Sequence, residues 1–173
     1  LSRRVAALSA ATLLWLAIAA LFADHLAGRS LDDFFITYRY AQNLAQGHGL
    51  VFNPGERVFG TTAPGLALLL AAAHLLTRIP IHWLGTLFTA ISLTGIALLL
   101  LKETETQGRR AEAWVGGTLL LTNTFLWACH GAEGPMVVLL LLLAARWGEE
   151  RPLLAGVTAG FAVWCRPDAG LAV

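Results

Sequence analysis

Two adjacent carboxylates, Asp32 and Asp33, open the most polar stretch of the chain, and a cation, Arg39, follows them. Ser30, three positions before Asp33, gives an S-x-x-D start. That pattern predicts a helix from about Leu31 to Gln46, ended by Gly47 and Gly49. On this helix Asp32, Ile36, Arg39 and Asn43 share one face, and Asp33, Thr37, Tyr40 and Leu44 share the next. Phe34, Phe35 and Tyr38 lie largely on the other side. A helix with charges on one face and aromatics on the other can lie in a membrane interface. The carboxylates and Arg39 would then face water or a cavity just above the lipid, where a lipid phosphate could meet a polar substrate. Asn53-Pro54-Gly55 signals a turn, which carries Glu56 and Arg57. Plainer readings fit the same residues. The macrodipole alone favours acids in a first helical turn. Arg39 also fits a partner of Asp32 or a snorkelling side chain. Glu56 and Arg57 fit ordinary loop charges, and His48 between two glycines fits a turn.

The elements that must hold these residues are apolar. The chain has 173 residues, 57% hydrophobic and 13% charged, with a mean hydropathy of +0.65. Soluble domains carry about 25% charged residues. Val5–Ala23, Ile79–Leu101 and Ala113–Cys129 contain no Asp, Glu, Lys or Arg. Crossing a hydrocarbon core takes roughly 20 residues. The pattern therefore predicts an all-α, polytopic transmembrane helix bundle in a single domain, with 24–62 as its first external loop. Helices are expected at 5–23, 79–101, 111–129, 132–147 and 152–165. The first follows Arg3-Arg4 and is read as a retained helix, not a cleaved signal, because its apolar run is long and more spans follow. The chain ends inside an apolar stretch, so we read it as the N-terminal part of something longer. Gly156 and Gly160 form a GxxxG that would let helix backbones approach. The net charge of +1 comes with no basic patch, so nucleic acid is not an expected partner. Cys129 and Cys165 have no metal or redox spacing and read as small hydrophobes.

Pro64–Leu76 is too short to cross comfortably and is read as re-entrant or interfacial. With Arg3-Arg4 inside, 102–110 and 146–151 then lie inside and bring Lys102, Arg109, Arg110, Arg146 and Arg151 with them. That agrees with the positive-inside rule. Glu133 and Arg166-Pro167-Asp168 then open to the same side as the loop. An ionisable group at a membrane helix junction is a functional candidate by default. Glu133 also fits an ordinary interfacial charge, and Asp168 a simple partner of Arg166.

The run from Asp32-Asp33 through ITYRYAQNLAQGHGLVFNPGERVFGTTAP resembles the first external loop of GT-C superfamily glycosyltransferases that use polyprenyl-phosphate sugars. It is most similar to the bacterial arabinofuranosyltransferase and mannosyltransferase-like branch. His130-Gly131-Ala132-Glu133-Gly134-Pro135 and Arg166-Pro167-Asp168 are weaker echoes of that family's later junctions. Ala132, Gly134 and Ala169 depart from its pattern. The resemblance reaches from about Asp32 to Gly170, which is the N-terminal half of a typical member. It implies a bacterial plasma-membrane enzyme with its site outside the cytoplasm. It implies transfer of a sugar from a polyprenyl-phosphate donor to a hydroxyl of a glycan, lipid or protein, with inversion. Asp32 or Asp33 would be the general base, Asp32 slightly preferred. A sugar hydroxyl is a weak acid and needs a carboxylate about 3 Å away as the bond forms. The leaving phosphate needs positive charge, for which Arg39, Arg57 and Arg166 are candidates. The candidate substrate contacts are thus Arg39, Tyr40, His48, Glu56, Arg57, Glu133, Arg166 and Asp168. Some members use a divalent metal, but no ligand spacing here argues for one. Asp32 and Asp33 diverge by about 100° on a helix and would share an ion poorly.

Two other classes compete. A transporter or lipid flippase would also use charges in a membrane cavity, although such charges usually sit near the bilayer midplane. A non-catalytic membrane scaffold is the second.

Overall fold

The computed structural model describes residues 10, 12–21, 32–56, 58, 60–128 and 131–172. Over these residues the chain is all-helical, with no strand. The order is α1 (Thr12–Leu21), α2 (Asp32–Ala45), α3 (Pro64–Thr77), α4 (Ile81–Thr106), α5 (Arg110–Thr122), α6 (Thr124–Ala128), α7 (Gly134–Trp147) and α8 (Pro152–Cys165). A 3₁₀ turn, Pro167–Leu171, follows.

Local chemistry sets most of the boundaries. Gly47 at φ 83 closes α2, with His48 N–H donating to Asn43 C=O at 2.9 Å and Gly47 N–H to Leu44 C=O at 3.1 Å. This is the paired pattern of a Schellman end. Gly108 at φ 72 closes α4 through Arg109 N–H to Thr104 C=O. That end lies beyond the expected Leu101, because Lys102–Thr106 continue the helix at little cost. The expected helix over 111–129 is broken. Asn123 is extended at ψ 106, and its Oδ1 accepts the N–H groups of Phe125 and Leu126 at 3.0 and 3.2 Å. The side chain that ends α5 thereby caps α6. Prolines start α3, α7 and α8, where a missing N–H costs nothing. α3 closes on Arg78 at φ 63, a conformation that costs a non-glycine residue about 1–2 kcal/mol.

Contacts along α4 give the packing directions. Thr89 accepts the N–H of Gly131, Gly95 lies under Leu139, and Glu103 pairs with Arg146 at 3.1 Å. α7 thus runs parallel to α4. α8 returns antiparallel and brings Arg166 to Glu133. One end of the bundle holds 102–110 and 146–151, and the other holds 131–134 and 165–168. α3 starts at that second end, where Gly65 touches Cys165 and Trp164. It finishes there too, because the turn 78–80 joins it to the start of α4. Ile81 lies about 12 Å beyond Thr89 along the axis, and α3 is about 21 Å long. α3 therefore does not run from end to end.

Two clusters form the interior. Trp15, Leu93, Leu101, Leu121 and Trp127 join α1, α4, α5 and α6. Tyr38, Tyr40, Leu66, Leu70, Leu84 and Cys165 join α2, α3, α4 and α8, together with Met136 and Val137 of α7. The small residues that permit close approach are Gly65, Gly85, Gly95, Gly117 and Gly131. Gly156 and Gly160, expected in that role, face open space. Among the described residues one helix, Ile81–Thr104, is long and apolar enough to cross a membrane by length and composition. The other apolar helices are shorter.

Candidate active site

α2 and the loop after it are held together by two buried side chains. Tyr40 is buried, and its hydroxyl donates to Val58 C=O at 2.8 Å and accepts the N–H of Gly60 at 2.7 Å. Asn43 is also buried, and its Nδ2 donates to Val51 C=O at 2.8 Å and Phe52 C=O at 2.7 Å. Both hold the loop against the helix. Asn53-Pro54-Gly55-Glu56 is a turn closed by Glu56 N–H to Asn53 C=O, with Gly55 at φ 92. Proline and glycine fit its two central positions. Asn53 Nδ2 donates to Glu56 Oε2 at 3.0 Å. Thr61 Oγ1 then accepts Ala63 N–H as the chain enters α3.

Two residues of α2 are more enclosed than an interfacial helix requires. Tyr38 lies on the side of Phe35, ring centroids 5.7 Å apart, but is buried against Gly85 and Gly131. Two glycines leave a slot that fits its ring, and a buried aromatic ring is worth several times an exposed one. Burial pushes its hydroxyl up to about 12, and the hydroxyl has no partner. Asn43 stays on the face of Arg39, both donating to Phe52 C=O, but is buried because the loop folds over it and presents carbonyls to its amide. Phe35, Ile36 and Arg39 remain exposed.

Arg39 donates from Nε to Phe52 C=O at 3.4 Å, a long bond that leaves its two terminal nitrogens uncommitted. It lines an open cleft of about 470 Å³ with Phe35, Ile36, Gln42, Phe52 and Asn53. A smaller cleft of about 270 Å³ lies along Tyr40, Phe52, Glu56 and Val58. Asp33 and His48 are exposed. Asp32 begins the helix, but its side chain lies outside the described ones, as do Ser30, Arg57 and Cys129.

At the same end of the bundle Arg166 joins two carboxylates. Nη1 donates to Glu133 Oε1 at 3.1 Å, and Nε lies 2.8 and 3.0 Å from the two oxygens of Asp168. The bonds to Asp168 raise the Arg166 pKa against partial burial, and the Glu133 charge adds to this. Only 13% of the Glu133 side chain is exposed, against 47% for Arg166 and 58% for Asp168. Pro167 forces Arg166 into extended backbone, at φ −154 and ψ 109, and this re-aims the chain at the end of α8. One guanidinium between two carboxylates leaves a formal excess of negative charge. The cluster can accept hydrogen bonds from hydroxyls, but it has little left to offer a phosphate.

Sequence reasoning thus finds a group, Glu133, Arg166 and Asp168, that the fold brings together across 33 positions. It misses Tyr38 and Asn43 as the residues that position α2. The only signal for them is the glycine at 131 and the Asn-x-x-x-Gly spacing before Gly47. Among the described residues, no group of three or more His, Cys, Asp or Glu side chains could hold a metal ion. Comparisons with protein-family models, with curated proteins and with solved structures find no match.

Proposed function

We propose that this chain is the loop-bearing part of a membrane glycosyltransferase. In this reading it moves a sugar from a polyprenyl-phosphate donor to a hydroxyl acceptor, with Asp32 or Asp33 as general base. One observation supports the reading most. Tyr38 of the acid-bearing helix seats on Gly131, two residues before Glu133, and Glu133 is tied to Arg166 and Asp168. A carboxylate helix, an uncommitted cation and a hydroxyl-accepting cluster therefore share one end of the bundle. Transfer from a lipid phosphate needs those three functions and no general acid, because the phosphate leaves as an anion.

The roles divide by charge. Arg39, with aromatic walls from Phe35 and Phe52, suits a phosphate on an apolar chain. Glu133 and Asp168 suit sugar hydroxyls, since carboxylates only accept. Tyr40 holds the loop that carries Glu56 and keeps it against α2.

The membrane placement draws on the exposed apolar side chains of the outer helices. Leu13 and Leu21 of α1, Leu119 of α5 and Leu153 of α8 are each more than 60% exposed. Soluble monomers rarely present such surface in extended patches. In this placement α3 does not cross the hydrocarbon core, and 102–110 and 146–151 face the cytoplasm.

The test is transfer by the full-length protein in lipid, with polyprenyl-phosphate sugars as donors. NMR of the first-formed product reads the anomeric configuration. An inverted linkage is expected. A retained linkage, or uptake of labelled lipid across the bilayer with no transfer, would contradict the reading.

A further inference from the structure

We propose that the cleft between the end of α2 and the α3–α4 turn is a headgroup site for a phosphate-bearing lipid. The cleft has a volume of about 470 Å³. It shares Phe35, Tyr38 and Gln42 with the Arg39 cleft, but none of that cleft's charge. Its polar lining is Gln42 of α2 and Gln46 just after it, His74 of α3, Arg78 of the turn and His82 of α4. Among the described residues no carboxylate lines it.

Two features point to an anion, and a third fixes the ring beside them. Arg78 sits at φ 63, where Gly47 and Gly108 close the corresponding ends of α2 and α4. A glycine would hold that conformation without strain, so the guanidinium is kept there against the backbone's preference. Strain of this kind collects at ligand sites. Next, a carbonyl can only accept, so His74 Nδ1 must be the donor in its 2.7 Å bond to Ile79 C=O. The bond fixes the ring and leaves Nε2 free, an acceptor in the neutral ring and a donor to an anion only in the imidazolium. Finally, a planar guanidinium beside the amides of Gln42 and Gln46 matches the oxygens of a phosphate, and no carboxylate among the described lining residues competes with that anion.

The surroundings favour a lipid over a free phosphate. Leu75, Leu76, Ile79 and Trp83 are exposed around the turn, Leu76 at 86%. Trp83 also packs on His82, ring centroids 5.5 Å apart. An apolar rim with a tryptophan beside a cationic pocket suits the boundary between headgroups and acyl chains. A soluble phosphate would use the nitrogens and leave the rim in water. The inference rests on the membrane placement proposed above and not on sugar transfer.

Native mass spectrometry of the full-length protein in detergent tests it, with phosphatidic acid and diacylglycerol, which lacks the phosphate, at equal chain length. Phosphatidic acid should be retained about tenfold better, the worth of a charge-assisted bond. Arg78→Gly should abolish that preference while the melting temperature holds or rises, because the strain is relieved. His82→Gln should weaken it. Arg109→Gln, an exposed cation at the far end, should leave it unchanged. No lipid preference in the wild type, or an undiminished one in Arg78→Gly, would overturn the site. Displacement of the lipid by equimolar glycerol phosphate would overturn the lipid source and make a soluble phosphate the occupant. Loss of sugar transfer with lipid retention intact would refute the enzyme reading and leave this site standing.

Discussion

Arg166 has two carboxylate partners with unequal stakes. Asp168 is exposed and can return to water if the cation is removed, but Glu133 is largely enclosed. Arg166→Gln should therefore destabilise the protein by about 1–2 kcal/mol, less than a fully buried pair because Arg166 itself is half exposed. Adding Glu133→Gln should restore part of the loss, since the stranded charge is gone. Thermal unfolding in detergent measures both, and strict additivity of the two changes would refute the coupling. Tyr38 gives a different signature. Its folded-state pKa is raised by burial from 10.0 to about 12, so the folded protein favours the neutral phenol. The stability this contributes is complete below pH 10 and is lost as pH climbs from 10 towards 12. Tyr38→Phe should remove that slope. It should also leave neutral-pH stability unchanged or raise it by up to about 1 kcal/mol, because an unpaired buried hydroxyl is lost. A clear destabilisation at pH 7 would mean that the hydroxyl has a partner in solution.

At the scale of the element, α2 and its loop act as one unit because two side chains bind backbone groups of 51–60. Tyr40→Phe removes the bond to Val58 C=O and leaves Gly60 N–H unmet. It should cost about 1–3 kcal/mol and open the loop, read as faster proteolysis within 51–62. Unchanged cleavage would show that Asn43 alone suffices. The extents of these elements are largely legible in the sequence. Pro64, Pro152 and Pro167 start or stop helices by their own chemistry, and α8 spans the expected 152–165. The α5–α6 break is written in Asn123, but an apolar run around it masks a single cap. Which way α2 faces is not legible. Its periodicity is compatible with Tyr38 inside or outside, and the choice is made by Gly85 and Gly131, distant in sequence. The same holds for Gly156 and Gly160, whose spacing is right for close packing but whose face no described helix covers.

For the whole molecule, the proposed membrane placement draws on composition, and the fold orders the ends of the helices. α4 and α7 run in parallel, α8 returns, and α3 begins and ends at the site end. The candidate residues Asp33, Arg39, Glu133, Arg166 and Asp168 are widely separated in the chain, and a topology in which α3 crossed would put Glu133 and the loop on opposite sides. A single cysteine at Gln107 should resist an impermeant thiol reagent added outside intact cells and react after permeabilisation, whereas one at Asn53 should react at once. External labelling at Gln107 would break the arrangement. The proposed chemistry rests on a carboxylate of α2. Turnover of the Asp32→Asn and Asp33→Asn proteins with a polyprenyl-phosphate sugar, measured beside donor affinity and melting temperature, tests that most directly. One of the two should lose about 10²–10⁴-fold in kcat, the worth of a general base, with donor binding and folding intact. If both variants transfer sugar at the wild-type rate, neither carboxylate is the base.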